Sequence, residues 1–464
     1  MEADATEVPR SDSARAAPQG GLDSFFKLSE RGTTVGTEVK AGITTFLVMA
    51  YIIFLNPNIL SGMFPQGSAE ADAFRPAASA ATALLAGLLT IAMGVFANVP
   101  IALAAGLGIN AIVAFFLVGV LGLTPAGAMG VIVIEGLVVL ALVLVGLREA
   151  IMNAVPLSLK RAIGVGIGLF ILFIGFVDGG LIGQGGAIIE FKFPNEVGPW
   201  LTLLGLVVTI VLWVRKVPAA LLISILIMSV IALIVGHTSV PERMSFLPDF
   251  STIGDFDLGN VWSLGALTAV LTIFSIMLTD FFDTMGTATA IGEQAGLTDE
   301  DGNVPGIGRI LLVDSVGAVA GGAAGISSNT SYIESAAGVA EGGRTGLTSV
   351  VTGLLFLVAV FVTPLAGLVP FTATAPVLIL VGYLMATLIK DIQFDDVEEG
   401  LPALFGIVLM PLTFSITVGI GAAFITWVLV KVVRGKLADV HPLMWIVALA
   451  FVVYFAQNWL GSVL

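Results

Sequence analysis

Long apolar runs alternate with short polar stretches from about residue 41 to the end of the chain. A helix needs about 20 apolar residues to cross roughly 30 Å of hydrocarbon, and most of these runs approach that length. Seven runs precede a polar stretch that contains Pro241 and Pro248, seven follow it, and one more covers residues 443–460. The pattern predicts an all-α polytopic membrane protein with about 14 transmembrane segments.

The two sets of seven runs resemble each other. The third run of each set is short and interrupted by glycine, with AAGLGINA at 104–111 and AGISSNTSYIESAAG at 324–338, and a Val–Pro pair opens the fifth run of each set at 155–156 and 369–370. An odd number of spans per repeat reverses the second repeat in the membrane, so inverted repeats are predicted. Paired broken segments at matching positions indicate a binding site near the midplane, although close packing of Gly-rich helices is an alternative explanation.

Basic residues in the short loops indicate the orientation. Three of them lie between residues 27 and 40, before the first run, and ten further Lys and Arg fall on the same side of a 14-span arrangement, against only Arg75, Lys192 and Arg243 on the other. This asymmetry predicts a cytoplasmic N-terminus, and residues 1–40 are predicted to form a polar, disordered cytoplasmic tail. The run at 443–460 is either a fifteenth crossing or a helix in the membrane plane.

The amino-acid composition excludes several kinds of chemistry for this protein. Hydrophobic residues are 57% of the chain and charged residues 11%, and cysteine is absent, which excludes disulfides, iron–sulfur clusters and thiol catalysis. The two histidines, His237 and His441, fall in loops, so proton chemistry inside the spans must use carboxylates. No phosphate-binding loop with a GK[ST] ending occurs, so ATP-driven transport is not supported. No cofactor or metal is expected, and a net charge of -14 argues against a nucleic-acid partner.

The eighth run carries two acids in TDFFDTMGTATAIGEQAGL (279–297). Asp280 and Asp283 are three residues apart and share a helix face. A carboxylate at the bilayer centre costs about 2.5–3.5 kcal/mol, so the pair predicts binding or proton transfer. The alternative is a helix end where both acids are already in cytoplasmic water. Phe281 and Phe282 could stack on a planar ligand, or pack in the core or against lipid.

The tenth run reads NTSYIESAAGVAEGGRTGLT (329–348). Glu334 follows a polar cluster and precedes small residues, which predicts an extended stretch that enters a short helix. This carboxylate either accepts hydrogen bonds from a ligand or pairs locally. Asn110, in the matching broken segment, either contacts a ligand or satisfies interrupted backbone. Glu341 and Arg344 are predicted to form a structural pair at the cytoplasmic edge.

Two further acids, Glu135 and Asp314, lie in the fourth and ninth runs. They are interpreted as packed acids and are left out of the site.

These motifs, with GITTFLVMAYIIFLNP (42–57) and LPALFGIVLMPLTFSI (401–416), resemble the nucleobase–ascorbate transporter family, and in particular its AzgA-like branch of adenine/guanine/hypoxanthine permeases. The resemblance implies 14 spans in two inverted seven-span repeats with short strands in spans 3 and 10. It also implies a core domain of spans 1–4 and 8–11 and a gate domain of spans 5–7 and 12–14. On this chain the core is 41–147 and 241–366, the gate is 148–240 and 367–434, and the flanks are a tail at 1–40 and an apolar segment at 435–464.

The resemblance further implies roles for individual residues. Asp280 and Glu334 match the family's purine-binding acids, Asn110 matches its span-3 amide, and Asp283 matches the second span-8 acid, which is associated with binding or proton coupling. The predicted substrate-binding set is Asp280, Glu334, Asn110, Thr330, Ser331, Tyr332 and Phe281. The predicted proton-coupling set is Asp283, Asp280 and Glu334. Asn329 and Ser331 depart from the threonine-rich strand of the branch, which leaves the preferred base open.

The expected function is import of purine nucleobases by proton symport, with an elevator-like movement of the core domain. A bacterial-type inner membrane and a homodimer that meets through the gate domain are what the family implies. One alternative is an anion transporter of the same fold, although three acids suit an anion poorly. Another is a membrane-embedded enzyme or receptor, for which no nucleophile or soluble module is evident.

Overall fold

A computed structural model describes residues 21–463 apart from 66, 147–153, 184–188, 240–246, 299–303 and 305. The expectations for residues 1–20, Arg148 and Arg243 lie outside the described residues. The helices are α1 (Gly21–Phe26), α2 (Val35–Met49), α3 (Ile52–Ser61), α4 (Ala69–Ala92), α5 (Leu107–Ala111), α6 (Pro125–Leu144), α7 (Leu157–Asp178), α8 (Val197–Val214), α9 (Ala220–Ile234), α10 (Ala266–Gln294), α11 (Ile307–Ala323), α12 (Ser335–Ala340), α13 (Gly346–Ala359), α14 (Phe371–Ala386), α15 (Val397–Thr413), α16 (Ile416–Val433) and α17 (Pro442–Val463). The strands are β1 (Leu103–Ala105), β2 (Ile182–Gly183), β3 (Glu190–Phe191) and β4 (Asn329–Ser331).

The helices follow the apolar runs. Within the described ranges, nine helical segments are long and apolar enough to cross a membrane, and they correspond to spans 1, 2, 4, 5, 6, 8, 11, 12 and 14. Spans 7, 9 and 13 are single helices of 15, 17 and 17 residues, about 22–26 Å long at 1.5 Å per residue. Spans 3 and 10 are a strand followed by a short helix. The predicted fold class, including strands in spans 3 and 10, is confirmed.

The repeated signals in the sequence correspond to repeated structure. Helix α7 begins directly after Pro156 and α14 directly after Pro370, because proline disfavours helical backbone in the residue before it. The two broken segments meet, since β1 pairs antiparallel with β4 in a register that places Leu103 opposite Ser331. Leu103 and Ser331 are 228 residues apart in the chain, yet their segments form one structural unit.

The helices pack in two groups. Helix α7 packs mainly against α14 and α15, and α8 packs against α9 and α14. In the other group, α6 packs against α11, and α13 packs against α2 and α4. Helix α10 lies between the groups, because it contacts α6 and α12 on one side and α7 and α16 on the other. For brevity we call α2–α6 with α10–α13 the core helices, and α7–α9 with α14–α16 the gate helices.

Part of the predicted tail is folded onto the core helices. Phe26 and Leu28 are buried against Leu347, and the Arg31 guanidinium donates to the backbone oxygens of Asn98 and Arg344. Helix α2 already begins at Val35. The prediction of disorder therefore does not hold for residues 21–40.

A buried carboxylate of α2 caps the start of α13. Glu38 is fully buried and accepts hydrogen bonds from the backbone N–H groups of Arg344, Thr345 and Thr348, and from the Thr348 hydroxyl at 2.6 Å. A carboxylate at a helix N-terminus satisfies N–H groups that have no partner within the helix. This contact fixes span 1 to span 11.

The predicted pair of Glu341 with Arg344 is wrong. Glu341 pairs with Lys40 of α2, and the Arg344 guanidinium donates to the backbone oxygens of Val339 and Gly343 at 2.6 and 2.7 Å. Backbone oxygens left open where α12 ends compete successfully for the guanidinium.

The last apolar run forms α17, which lies lengthwise against α16. Phe451 is fully buried and packs on Phe424, with ring centroids 6.2 Å apart. It also covers Gly421, where an added Cβ would lie 2.5 Å from its ring. Met444 lies about two turns before Phe451 on the same face of α17 and is also buried. Helix α17 therefore runs alongside span 14 over at least two turns.

We predict that Gly346→Ala destabilises the protein. A Cβ at Gly346 would lie 1.9 Å from the backbone oxygen of Gly94, so α13 must move away from span 2 at a cost of about 1–3 kcal/mol. The melting temperature of the protein in detergent should fall by several degrees. Gly308→Ala is the matched control, because nothing lies within 4 Å of its Cβ position. Equal melting temperatures for the two variants would contradict the close packing of spans 2 and 11.

Candidate functional site

The paired strands β1 and β4 lie in the interior, and all six of their residues are buried. The pairing continues at both ends, because Gly106 N–H donates to the Ser328 oxygen at 2.8 Å and Tyr332 N–H donates to the Ala102 oxygen at 2.9 Å. Extended backbone at membrane depth is stable only where protein satisfies its hydrogen bonds. The strands supply those bonds to each other along their facing edges.

The outer edge of each strand is satisfied by a helix side chain. The Thr90 hydroxyl of α4 accepts from Leu103 N–H at 2.9 Å and donates to the Leu103 oxygen at 3.1 Å. On the other side, Asp314 of α11 accepts from Ser331 N–H and the Ser331 hydroxyl, both at 3.0 Å. Spans 2 and 9 occupy equivalent places in the two repeats, so each repeat holds its own strand in the same way.

Asp314 also links span 8 to this unit. Thr284 of α10 donates to Asp314 at 2.7 Å, and its hydroxyl lies 2.8 Å from that of Thr330. Asp314 is 1% exposed. Asp314 is thus a packed acid, and it joins spans 8, 9 and 10 through Thr284 and Ser331.

The two acids of span 8 lie inside one continuous helix and have different surroundings. Helix α10 continues to Gln294, about three turns beyond Asp283, so neither acid is at a helix end. Asp280 is 2% exposed and accepts a hydrogen bond from the Ser328 hydroxyl at 3.0 Å. Asp283 is exposed, and one turn further Gly286 faces open space.

Glu334 stands where span 10 changes from strand to helix, directly before α12. It is partly exposed and accepts a hydrogen bond from the Tyr51 hydroxyl at 2.7 Å. Tyr51 is fully buried at the junction of α2 and α3. The expected extended stretch that leads into a short helix is present, and a phenol orients its carboxylate.

Two buried amides on the strand segments have no hydrogen-bond partner among the described residues. Asn110 of α5 is 0% exposed, and neither its amide nitrogen nor its amide oxygen is bonded. The same holds for Asn329 of β4. The Asn329 side chain lies against α11, because a Cβ at Gly321 would be 2.4 Å from its Nδ2 atom. Buried amides without partners are costly, so such groups call for a water or a ligand.

The remaining predicted site residues differ in whether their hydroxyl groups are hydrogen-bonded and in how far their rings are exposed. The Ser331 hydroxyl is bonded to Asp314, and the Tyr332 hydroxyl donates to the Ala105 oxygen on the outer edge of β1. Phe281 is 2% exposed and meets Phe282 edge to face at 5.9 Å. Phe282 is partly exposed, and the Lys160 ammonium of α7 lies 5.7 Å from its ring centroid.

The structure brings Asp280, Glu334 and the span-10 residues around one strand pair, with α5 in contact with α10. Sequence reasoning missed Tyr51, Thr90 and Ser328. Tyr51 carried a usable signal, because it is one of four tyrosines in the chain and lies inside an apolar run. Thr90 and Ser328 carried none, since hydroxyl residues in membrane helices commonly bond to their own backbone.

A family model described as a permease family matches residues 36–422. The chain belongs to this permease family. The match confirms the resemblance to the nucleobase–ascorbate transporter family, and the permease is a multi-pass membrane transporter.

Two relatives match nearly the whole permease. The adenine permease AdeQ of Escherichia coli (strain K12) is 42% identical over 436 residues, which cover 93% of this chain and 95% of that protein. The guanine/hypoxanthine permease PbuG of Bacillus subtilis (strain 168) is 40% identical over 441 residues, which cover 94% of this chain and 99% of that protein.

Solved structures show the same fold at low identity. The transmembrane domain of the cyanobacterium bicarbonate transporter BicA aligns with a TM-score of 0.62 at 17% identity, over 84% of this chain and 97% of that chain. At this identity the similarity concerns the fold alone.

We predict that Thr90→Val destabilises the permease, while Thr90→Ser does so much less. Valine keeps the shape but leaves Leu103 N–H buried without an acceptor, which costs about 1–3 kcal/mol. Serine keeps the hydroxyl. Thermal unfolding in detergent measures the difference, and equal stabilities for the two variants would mean that the outer edge of β1 is satisfied in another way.

Proposed function

We propose that this permease transports purine nucleobases. The observation that carries the proposal is the pair of carboxylates Asp280 and Glu334, each of which accepts a hydrogen bond from a neutral hydroxyl beside the buried strand pair. A purine presents N–H donors on a flat ring, and carboxylates are acceptors only. The names of the adenine and guanine/hypoxanthine permeases that match nearly the whole chain support the same substrate class.

We place the purine between α10 and the broken segments of spans 3 and 10. Asp280 and Glu334 accept from the base, and the unpartnered Asn110 amide supplies a donor and an acceptor to the opposite edge. Phe282 is better placed for stacking than Phe281, because Phe281 is buried whereas Phe282 is partly exposed beside Asp283. Thr330, Ser331 and Tyr332 shape the site chiefly by holding the strands.

An anion substrate is the second candidate, since the bicarbonate transporter shares the fold. An anion requires donors or cations at the site. The acids Asp280, Asp283 and Glu334 create the opposite electrostatic environment, so the purine is the better supported substrate.

We further propose proton symport. Asp283 is exposed and lies one helical turn after the buried Asp280. A carboxylate that alternates between water and the site is suited to carry a proton with the base. The core helices would then move against the gate helices in an elevator-like step. A cytoplasmic N-terminus, an inner-membrane location and a homodimer through the gate helices complete the proposal.

We expect Glu334→Gln to weaken purine binding about 10- to 100-fold, because one charged hydrogen bond of about 1.5–3 kcal/mol is lost. The measurement is the thermal shift of purified protein with adenine, guanine and hypoxanthine; a ligand at 100 times its Kd stabilises by about 2.7 kcal/mol. Glu341→Gln is the matched control, since that carboxylate lies in the same segment but pairs with Lys40. A shift retained in Glu334→Gln would remove Glu334 from the site.

Asp283→Asn should bind purine but lose the response of uptake to an imposed pH gradient in proteoliposomes, because asparagine cannot take up the proton. Glu293→Gln, an exposed position on the same helix, should keep the response. If the pH gradient accelerates uptake by the Asp283→Asn protein as much as uptake by the unmodified protein, Asp283 is excluded as the proton carrier.

A further inference from the structure

We propose that Asn58 and Arg75 of the core helices, together with the first turn of α14, form the outer gate of the transport path. The inference rests on the proposed permease function and orientation, and it names residues that sequence reasoning left without a role. In the proposed orientation, α3 ends, α4 begins and α14 begins at the outer side of the membrane.

The first contact of this gate is a buried amide that crosses from core to gate helices. Asn58 of α3 is 2% exposed, and its Nδ2 atom donates to the Thr374 hydroxyl at 3.1 Å and to the Val369 oxygen at 3.3 Å. The Val369 oxygen lies just before α14. The N–H of Ala373, four residues later, does not bond to this oxygen but to the Pro370 oxygen. An acceptor outside the helix is therefore available to a residue from the other group of helices.

The second contact is a cation against an aromatic ring. The guanidinium of Arg75 in α4 lies 5.7 Å from the ring centroid of Phe371, the first residue of α14. Asp72, one turn earlier in α4, pairs with the same guanidinium and holds it in place. Both contacts reach the same turn of α14 from different core helices.

A cavity of about 630 Å³ lies at this outer end of the interface between the two groups of helices. It is lined by Asp72, Arg75, His237, Phe371 and Thr372, among others. Arg75 Nε and Thr372 Oγ1 are buried and have no hydrogen-bond partner among the described residues. The lining includes charged and hydroxyl side chains that can hold water, and it reaches the Arg75–Phe371 contact.

The opposite half of the interface is more open. Asp283 is exposed there, and a Cβ at Gly286 would meet nothing within 4 Å. One contact that crosses the interface near these residues is the partly exposed Lys160 over the ring of Phe282. A purine that arrives from outside meets the partly exposed Arg75 contact and the buried Asn58 contact before it reaches the acids, so these contacts must open in each transport cycle.

The chemistry of the contacts suits a gate. A buried amide can exchange its protein acceptors for water at small net cost, since hydrogen bonds to water replace those to protein. A tightly packed apolar seal would instead expose hydrophobic surface on opening.

A reversible cross-link tests the gate. The chain contains no cysteine, so Asn58→Cys with Thr374→Cys introduces the only two thiols, which a disulfide or a short bifunctional thiol reagent can join. Cross-linking should stop uptake of labelled adenine or hypoxanthine, and reductant should restore it for the disulfide. Each single-cysteine variant under the same oxidant is the control. The proposal would be overturned by a double variant that mass spectrometry shows to be fully cross-linked and that still transports as fast as the same variant after reduction of the disulfide.

A second measurement does not depend on purine transport. Asn58→Cys alone is alkylated from outside with a membrane-impermeant maleimide, with and without Arg75→Gln. Loss of the cation should raise the alkylation rate about two- to fivefold, the expected effect of one cation–π contact, whereas Arg75→Lys should raise it less. An unchanged rate in Arg75→Gln would exclude Arg75 from the gate. Uptake by unmodified protein in the same cells tests the permease function separately, so failure of either proposal is recognised independently.

Discussion

The antiparallel pairing of β1 with β4 is the interaction on which the site depends. Six extended residues lie at the centre of a membrane protein, where backbone N–H and C=O groups must find partners in the protein. The two strands bond to each other along their facing edges, and Thr90, Tyr332 and Asp314 satisfy groups on the outer edges. Because these side chains come from spans 2, 9 and 10, the strand pair also ties those spans together.

The same arrangement determines where charge can be placed. Asp314 accepts hydrogen bonds from Ser331 and Thr284, so it has a structural role. Asp280 accepts a hydrogen bond from the Ser328 hydroxyl and Glu334 accepts one from the Tyr51 hydroxyl, and these hydroxyls orient the two carboxylates. Asp314 therefore holds spans 8, 9 and 10 together, whereas Glu334 stays partly exposed beside the strand pair.

The two groups of helices meet through polar contacts as well as through apolar ones. In the proposed orientation, Asn58 and Arg75 reach the first turn of α14 at the outer end, while Asp283 is exposed and Gly286 faces open space at the other end. Under the proposed transport mechanism, this asymmetry corresponds to a conformation in which Asp283 and Glu334 are accessible from one side, while Asp280 stays buried. Helix α17, which contacts both α16 and α10, adds a link between the groups that the 14 spans alone do not provide.

The sequence by itself determined the spans, their doubling and the acids, because hydrophobic run length, odd repeat number and the cost of a membrane carboxylate are local properties that require no partner. It also indicated the two broken segments, since the glycine interruptions and the polar cluster occur at matching positions of the amino-acid sequence. It could not show that Leu103 would lie opposite Ser331, that Thr90 would satisfy β1, that Tyr51 would bond to Glu334, or that Glu341 would choose Lys40 over Arg344. Each of these depends on residues brought together from distant parts of the chain, where the winning partner is decided by which buried donor or acceptor would otherwise remain unsatisfied.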